Sequence, residues 1–274
     1  MIVIKYGGAA MQDDSLRLGV IRDISQLAAS GGGVVLVHGG GPELTALQER
    51  LGLKTKFSGG LRYTDEGTMN AALMALCGKV NKGIVRLLQN EGQKAAGLCG
   101  IDGGILRCER QKDPDLGFVG TVTDVDTGLL HVLLESGYIP VISTVGLGTD
   151  GLAYNINADT AAGRIAAALC ADLYITMSDV PGVLREVDDH STLIRQIRTN
   201  EVGQLIGAGY ISGGMIPKVQ GVADALLRGA KAASIIDGRV PHALMACLRD
   251  RESIGTMIVK PDVSEWRGFV PDEQ

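Results

Sequence analysis

The chain has 274 residues, with 26 lysines and arginines against 31 aspartates and glutamates, a net charge of −5. That length supports one or two domains, and 45% hydrophobic with 21% charged residues is ordinary globular usage, which excludes a disordered chain and a coiled coil. The mild acidity argues against a nucleic-acid binder, in which lysine and arginine cluster. Glycine is the outlier: 39 residues of 274 is about twice the usual ~7%.

No stretch approaches the ~18 consecutive apolar residues of a membrane span, and Met1 to Tyr6 reads as a strand rather than a secretory signal. Five cysteines (Cys77, Cys99, Cys108, Cys170, Cys247) form no C-x-x-C pair and sit mostly among apolar residues. They read as buried free thiols of a reducing compartment, so a cytoplasmic protein is expected. The four histidines are scattered and predict no metal site.

In chain order, Ile2–Tyr6 is a strand, and Leu16, Val20, Ile24 and Leu27 mark one helical face after it. Val34–His38 is the next strand. Leu53–Thr64 carries glycine-punctuated short strands, and Met69, Leu73, Leu76, Val80, Ile84 and Leu87 trace a long helix from about Asp65 to Asn90. At about twice the ~11–12-residue average, that helix is expected to pack against a second subunit as well as its own core. Ala95–Leu98 follows as a strand, then hairpins over Ile105–Val125 and a strand at Ile139–Ser143. Beyond these come a helix at Ala161–Cys170, a strand at Leu173–Met177, and an exposed loop or hairpin at Gly182–Arg198. Helices at Glu201–Ala208, Pro217–Arg228 and His242–Asp250 alternate with strands at Ser234–Asp237 and Thr256–Val259. The last residues, Asp262 to Gln274, hold the only tryptophan, Trp266, and read as a surface tail or clamp. Nearly all-apolar strands alternating with helices predict an α/β protein, a three-layer α-β-α sandwich with a mainly parallel central sheet. The expected domain division is residues 1–171 and 172–274.

Two glycine turns carry the first chemical signal. His38-Gly39-Gly40-Gly41-Pro42 ends a strand and opens a helix, which exposes backbone N–H groups at a helix N-terminus, an anion site. Lys5-Tyr6-Gly7-Gly8 does the same after the first strand and adds a cation. At the carboxyl ends of a parallel sheet the two point to phosphate handling, although either alone is more often an ordinary turn. Gly146-Leu147-Gly148-Thr149-Asp150-Gly151 spells G-x-G-x-x-G but runs into a strand, so it reads as a hairpin turn and not a dinucleotide site. A P-loop, protein-kinase signatures, G-x-S-x-G and H-E-x-x-H are all absent from the sequence.

Three further clusters stand out. Arg62 on the turn Gly60 to Asp65 is either a carboxylate clamp or an ordinary surface ion pair. Asn155, Asn157 and Asp159 lead into an alanine-rich helix with more polar groups than an N-cap needs. Lys218 in Gly213-Gly214-Met215-Ile216-Pro217-Lys218 stands in the first turn of a helix, where it faces an anion or simply solvent.

Read as an ordered set, these motifs, with Gly78-Lys79-Val80-Asn81-Lys82, Ser178-Asp179-Val180-Pro181-Gly182-Val183-Leu184 and Asp237-Gly238-Arg239-Val240-Pro241-His242, resemble the amino-acid kinase family, in its branch acting on N-acetylglutamate. The likeness covers about Met1 to Lys260. It implies ATP-dependent phosphorylation of the side-chain carboxylate of N-acetyl-L-glutamate, a step of arginine biosynthesis, with the amino-acid lobe first and the nucleotide lobe second. By motif, Lys5 and Lys218 would flank the transferred phosphoryl group and Asp159 would orient them. Gly8 and the N–H groups of Gly39, Gly40 and Gly41 would cradle phosphates and carboxylate. Arg62, helped by Asn155, would hold the substrate α-carboxylate. Ser178, Asp179, Val180, Gly182, Val183 and Leu184, with Tyr210, Ile211 and Ser212, would line the nucleotide pocket. Mg²⁺ would enter through the ATP phosphates, with no metal site of the protein's own.

The resemblance also implies a homodimer joined through the Asp65–Asn90 region. Met1 stands directly before the first strand, where arginine-inhibited members carry a helix, so strong arginine feedback is not expected. Phe57-Ser58-Gly59 departs from the His-Asn pair of the family pattern. A kinase acting on an aminoadipate or glutamate held by a carrier protein is the nearest alternative, though nothing in the charge suggests a basic rim. A silent regulatory subunit of the same fold is a second, disfavoured by the joint presence of Lys5, Asp159 and Lys218.

Overall fold

The computed structural model describes residues 1–262 except Gln12, Gly59, Val187 and 250–253, so Trp266 and the expected tail lie outside the described residues. The chain forms two compact units: Met1–Val34 with Gly163–Gln274, and Val35–Ala162.

The first unit opens with β1 (Ile2–Tyr6), five buried residues in a row, and α1 (Asp14–Ala29). Asp13 caps α1 by accepting from Ser15 N and Leu16 N, and Val20, Ile21, Ile24 and Leu27 form its buried face.

The second unit follows. After β2 (Val34–His38) come α2 (Gly41–Arg50) and the antiparallel pair β3 (Phe57–Ser58) and β4 (Leu61–Arg62). The long helix runs as α3 (Glu66–Ala72), a π-helical stretch Leu73–Val80, and α4 (Asn81–Asn90). In the π stretch the Asn81 N–H reaches the Leu76 carbonyl, five residues back. Next stand β5 (Ala95–Cys99), β6 (Leu106–Lys112), β7 (Asp115–Val125), α5 (Gly128–Glu135), β8 (Ile139–Ser143), β9 (Val145–Gly148), β10 (Ala153–Asn155) and α6 (Ala158–Ala168). β2, β8 and β5 pair in parallel, while β6, β7, β9 and β10 close into a small barrel. The hairpins expected over Leu53–Thr64 and Ile105–Val125 are thus present, and the Gly146–Gly151 motif is the β9–β10 turn, closed by Gly148 N donating to Leu152 O. Leu44, Met69, Ala72, Leu76 and Val145 pack as the core between α2, the long helix and β9.

The chain then returns to the first unit through β11 (Leu173–Ser178), β12 (Gln196–Arg198), α7 (Val202–Gly207), α8 (Met215–Arg228), β13 (Ala232–Asp237), α9 (Ala243–Arg249) and β14 (Thr256–Val259). Strands run in the order β12-β14-β13-β11-β1, parallel except β13 against β14. These units differ from a single cut near Ala171. The reason is the register of β1, whose Ile2 to Lys5 pair with Leu173 to Thr176, so the first strand is completed by residues remote in sequence. Asp172 reinforces that pairing, accepting from the Met1 amino group and from Lys231 Nζ at 2.6 Å.

The α/β class is borne out, with the strand pairs parallel outside the small barrel and β3–β4, except β13 with β14. The cysteines depart from expectation. Cys108 and Cys247 are buried, but Cys77 and Cys99 are half-buried and Cys170 is exposed. Among the described residues no helix is long and apolar enough to cross a membrane.

Candidate active site

The glycine turn of the second unit rests on a buried polar network. His38, the last residue of β2, is fully buried. Its Nδ1–H donates to the Gly39 carbonyl at 2.7 Å, while Nε2 accepts from Asn81 Nδ2 at 3.1 Å. The amide donor settles the tautomer, since a nitrogen that accepts cannot carry the proton. Asn81 also donates to the carbonyls of Leu98 and Val141, which ties the turn to β5 and β8. Burial pushes the His38 pKa down to about 4, so the ring is neutral at pH 7.

Gly40 then takes φ of +151° and lies over the π stretch. A Cβ there would stand 2.7 Å from Leu76 Cδ2 and 3.1 Å from Val80 Cγ2, so the backbone approaches the helix as only glycine permits. Pro42 opens α2 and leaves its first N–H groups at the turn.

Arg62, on β4, is 9% exposed and sits beside this helix start. Its Nη1 donates to Gln48 Oε1, and its Nη2 donates to the Gly41 carbonyl at 3.1 Å and to Thr45 Oγ1 at 2.8 Å. The guanidinium carbon lies 4.8 Å from the centre of the Phe57 ring. Among the described residues these partners are all neutral, so the ion-pair reading of Arg62 is not what the geometry supports. With Gly41, Pro42, Thr45, Ala46, Glu49 and Phe57 it lines a cavity of about 520 Å³. A guanidinium whose hydrogen-bond partners are neutral keeps its charge available to an anion, with the Glu49 carboxylate on the same wall as an opposing charge. Asn155 joins from β10, donating to Thr64 Oγ1 at 3.3 Å, and Thr64 in turn donates to the Arg62 carbonyl. Asn157, not Asp159, caps α6, accepting from the N–H groups of Asp159 and Thr160. Capping therefore does not account for Asp159.

In the first unit a second cavity, of about 500 Å³, opens at the end of β11. Ser178, Asp179, Val180, Gly182, Val183, Leu184, Tyr210 and Ser212 all line it, with Lys218 from the first turn of α8. Ile211 does not; its side chain is buried. Gly182, at φ of +140°, bends the loop so closely that a Cβ would meet Thr256 Oγ1 at 2.5 Å. The same hydroxyl accepts from Val183 N at 2.8 Å and holds the rim. Arg185 stands 5.4 Å from the Tyr210 ring centre. Lys5, next to last in β1, is nearly buried opposite Thr176 of β11, and Gly8 takes φ of +70° in the turn that follows.

Sequence reading missed several of these groups. His190 and Arg239 line this second cavity. Arg239 binds Asp237 through Nε and Nη2, and although burial acts to raise the Asp237 pKa, that cation holds it below the usual carboxylate value. Asn81 was legible as a polar residue on a face otherwise made by Ile84 and Leu88, and His38 as the residue opening the glycine run. Gln48 and Thr45 gave no signal.

Residues 1–237 match the sequence profile of the Amino acid kinase family. The chain belongs to that family. Its similarity to an acetylglutamate kinase of Clostridium kluyveri is 49% identity over 258 residues, 94% of this chain and 91% of that one. An acetylglutamate kinase of Thermosynechococcus vestitus is 50% identical over 94% of this chain and 87% of its own length. Among solved structures, N-acetylglutamate synthase from Neisseria gonorrhoeae with coenzyme A and N-acetyl-glutamate superposes with a TM-score of 0.81 at 24% identity, over 94% of this chain and 59% of that one, which bears on the fold alone.

Proposed function

We propose that this chain transfers the γ-phosphoryl group of ATP to the side-chain carboxylate of N-acetyl-L-glutamate, giving N-acetyl-L-glutamyl 5-phosphate and ADP, the second step of arginine biosynthesis. The observation that carries the reading is Arg62, a buried cation with neutral partners at the mouth of a cavity beside the glycine turn. The acetylglutamate kinases that align over 94% of the chain supply the substrate.

The chemistry suits these residues. A substrate carboxylate with a reference pKa of ~4.3 is already ionised at pH 7 and needs no general base. Catalysis then consists of positioning and charge neutralisation. Arg62 and Asn155 hold the amino acid, and the N–H groups from Gly39 to Gly41 face the anion. Lys5 and Lys218 neutralise the transferred group, and Asp159 keeps the orienting role of the family motif. The cavity at Ser178, Val183 and Tyr210 takes the nucleoside. Among the described residues no three His, Cys, Asp or Glu side chains gather as a metal cage. Mg²⁺ would enter with the nucleotide phosphates and would supply positive charge there. The enzyme acts in the cytoplasm as a homodimer joined through the long helix, whose Met74 is 53% exposed.

A hydroxylamine trap tests the reaction. Protein, ATP and Mg²⁺ are incubated in parallel with N-acetylglutamate, glutamate, aspartate or N-acetylaspartate, and hydroxamate is read by colour. Signal with N-acetylglutamate alone, lost in Lys218→Ala, is expected. Signal with a different acid moves the substrate, and no signal with any of them removes the reaction.

A further inference from the structure

Two of the five cysteines meet in the second unit, remote from each other in sequence. Cys77 lies in the π stretch, and Cys99 ends β5. Ser143 links them: it pairs with Cys99 in the parallel register of β5 and β8, and its hydroxyl donates to Cys77 Sγ at 3.2 Å. Through that serine the two thiols share one neighbourhood at the end of β5. The backbone just beyond Cys99 folds into a tight turn at Asp102–Gly104, where the Asp102 carboxylate accepts from the Cys99 N–H at 2.7 Å. The neighbouring Cys77 thiol first, then the N–H groups of Ile101 and Asp102 against the opposing effect of burial, bring the Cys99 pKa down to about 7. Cys77 is held in the thiol form, its pKa raised by its neighbour Cys99 and by burial. The pair has the asymmetry of an attacking and a resolving sulfur.

We propose that Cys77 and Cys99 form a peroxide-sensitive dithiol that closes reversibly to a disulfide and so acts on the glycine turn. The Cys99 thiolate attacks one oxygen of hydrogen peroxide. The O–O bond breaks, and hydroxide leaves and becomes water with the proton that Cys99 had released. Cys99 is then a sulfenic acid. Cys77 attacks its sulfur, the S–S bond forms, the S–O bond breaks, and the oxygen departs as a second water with the Cys77 proton. Two thiols lose two electrons and one peroxide is reduced to two waters; a dithiol reductant reverses the bond by exchange. The step reaches the site through packing. Cys77 follows Leu76, whose Cδ2 lies against Gly40, and precedes Val80 and Asn81, which support the same turn. This last consequence rests on the kinase reading; the thiol chemistry does not.

The test uses the full chain carrying Cys170→Ser, to remove the exposed thiol. Reduced protein is treated with one equivalent of hydrogen peroxide, alkylated with iodoacetamide and mapped by mass spectrometry without reduction. A cross-link between the peptides carrying Cys77 and Cys99 is expected, reopened by dithiothreitol. Cys77→Ser should give no cross-link but a dimedone adduct on Cys99, and Cys99→Ser should give neither. Separate alkylation of both thiols, at the level of buried Cys108, would overturn the pair. In the cross-linked enzyme the KM for N-acetylglutamate should rise about fivefold or more, a typical coupling between sites. An unchanged KM overturns the link to the turn. An inactive reduced protein would instead sink the kinase reading, with the peptide map still legible.

Discussion

The two candidate cavities, one in each unit, are built in opposite ways. In the Val35–Ala162 unit each group is tied by buried hydrogen bonds: His38 to Gly39 and Asn81, Asn81 to two strands, Arg62 to α2. In the other unit the cavity is shaped by glycine-bent loops, with Lys218, Tyr210 and Arg239 at its wall and Arg239 paired to Asp237. A buried network fixes donors in one geometry before ligand arrives, which favours discrimination between similar small acids. A loop-lined cavity suits a large ligand held by stacking and many weak contacts. On the proposed function, specificity would belong to the first cavity and nucleotide accommodation to the second.

The sharpest way to break that contrast is Lys218→Ala. Loss of a transition-state cation should cut kcat by about 10²–10³ with the thermal transition unchanged. Turnover near that of the wild type removes Lys218 from the chemistry. Arg62→Ala should raise the KM for N-acetylglutamate by about 10–100-fold, the loss of a charge-assisted hydrogen bond pair, and leave the KM for ATP alone. Equal changes in both constants would refute the division of labour. Asn81→Ala leaves His38 and two strand carbonyls short of a donor and should cost about 1–3 kcal/mol in denaturant unfolding.

Protonation of His38 sharpens the comparison further. Its folded pKa of about 4 lies below the ~6.5 of an unfolded histidine, so the unfolded state takes up the proton first. The stabilisation is whole above pH 6.5 and drains as the pH falls toward 4. Denaturant midpoints should decline over that window, and His38→Gln should flatten the decline. The smallest effect is expected from Tyr210→Ala: a rise of a few-fold in the KM for ATP, because one stacking surface is worth about 1 kcal/mol.

Much of this molecule could be read from local pattern. Runs such as Ile2–Tyr6 and Leu173–Ser178 are apolar enough to be strands wherever they sit, because both faces must be covered. The glycine turn is legible because a chain that approaches a helix as closely as Gly40 does has no room for a side chain. Ser178 to Leu184, Tyr210 and Ser212 were named through the family resemblance alone, and they line one cavity of the first unit.

What sequence could not disclose depends on pairs brought together by folding. β1 finds its partner 171 residues later, so the compact units cross any single cut in the chain. Arg62 reads equally as an ion pair or a clamp until Gln48, Thr45 and the Gly41 carbonyl are seen to surround it. Cys77 and Cys99 look like separate buried thiols until β5 and the π stretch set them side by side. Periodicity and turn chemistry are short-range properties, written in a dozen residues. Partnership between distant side chains is set by register and packing, which exist only once the whole chain has folded.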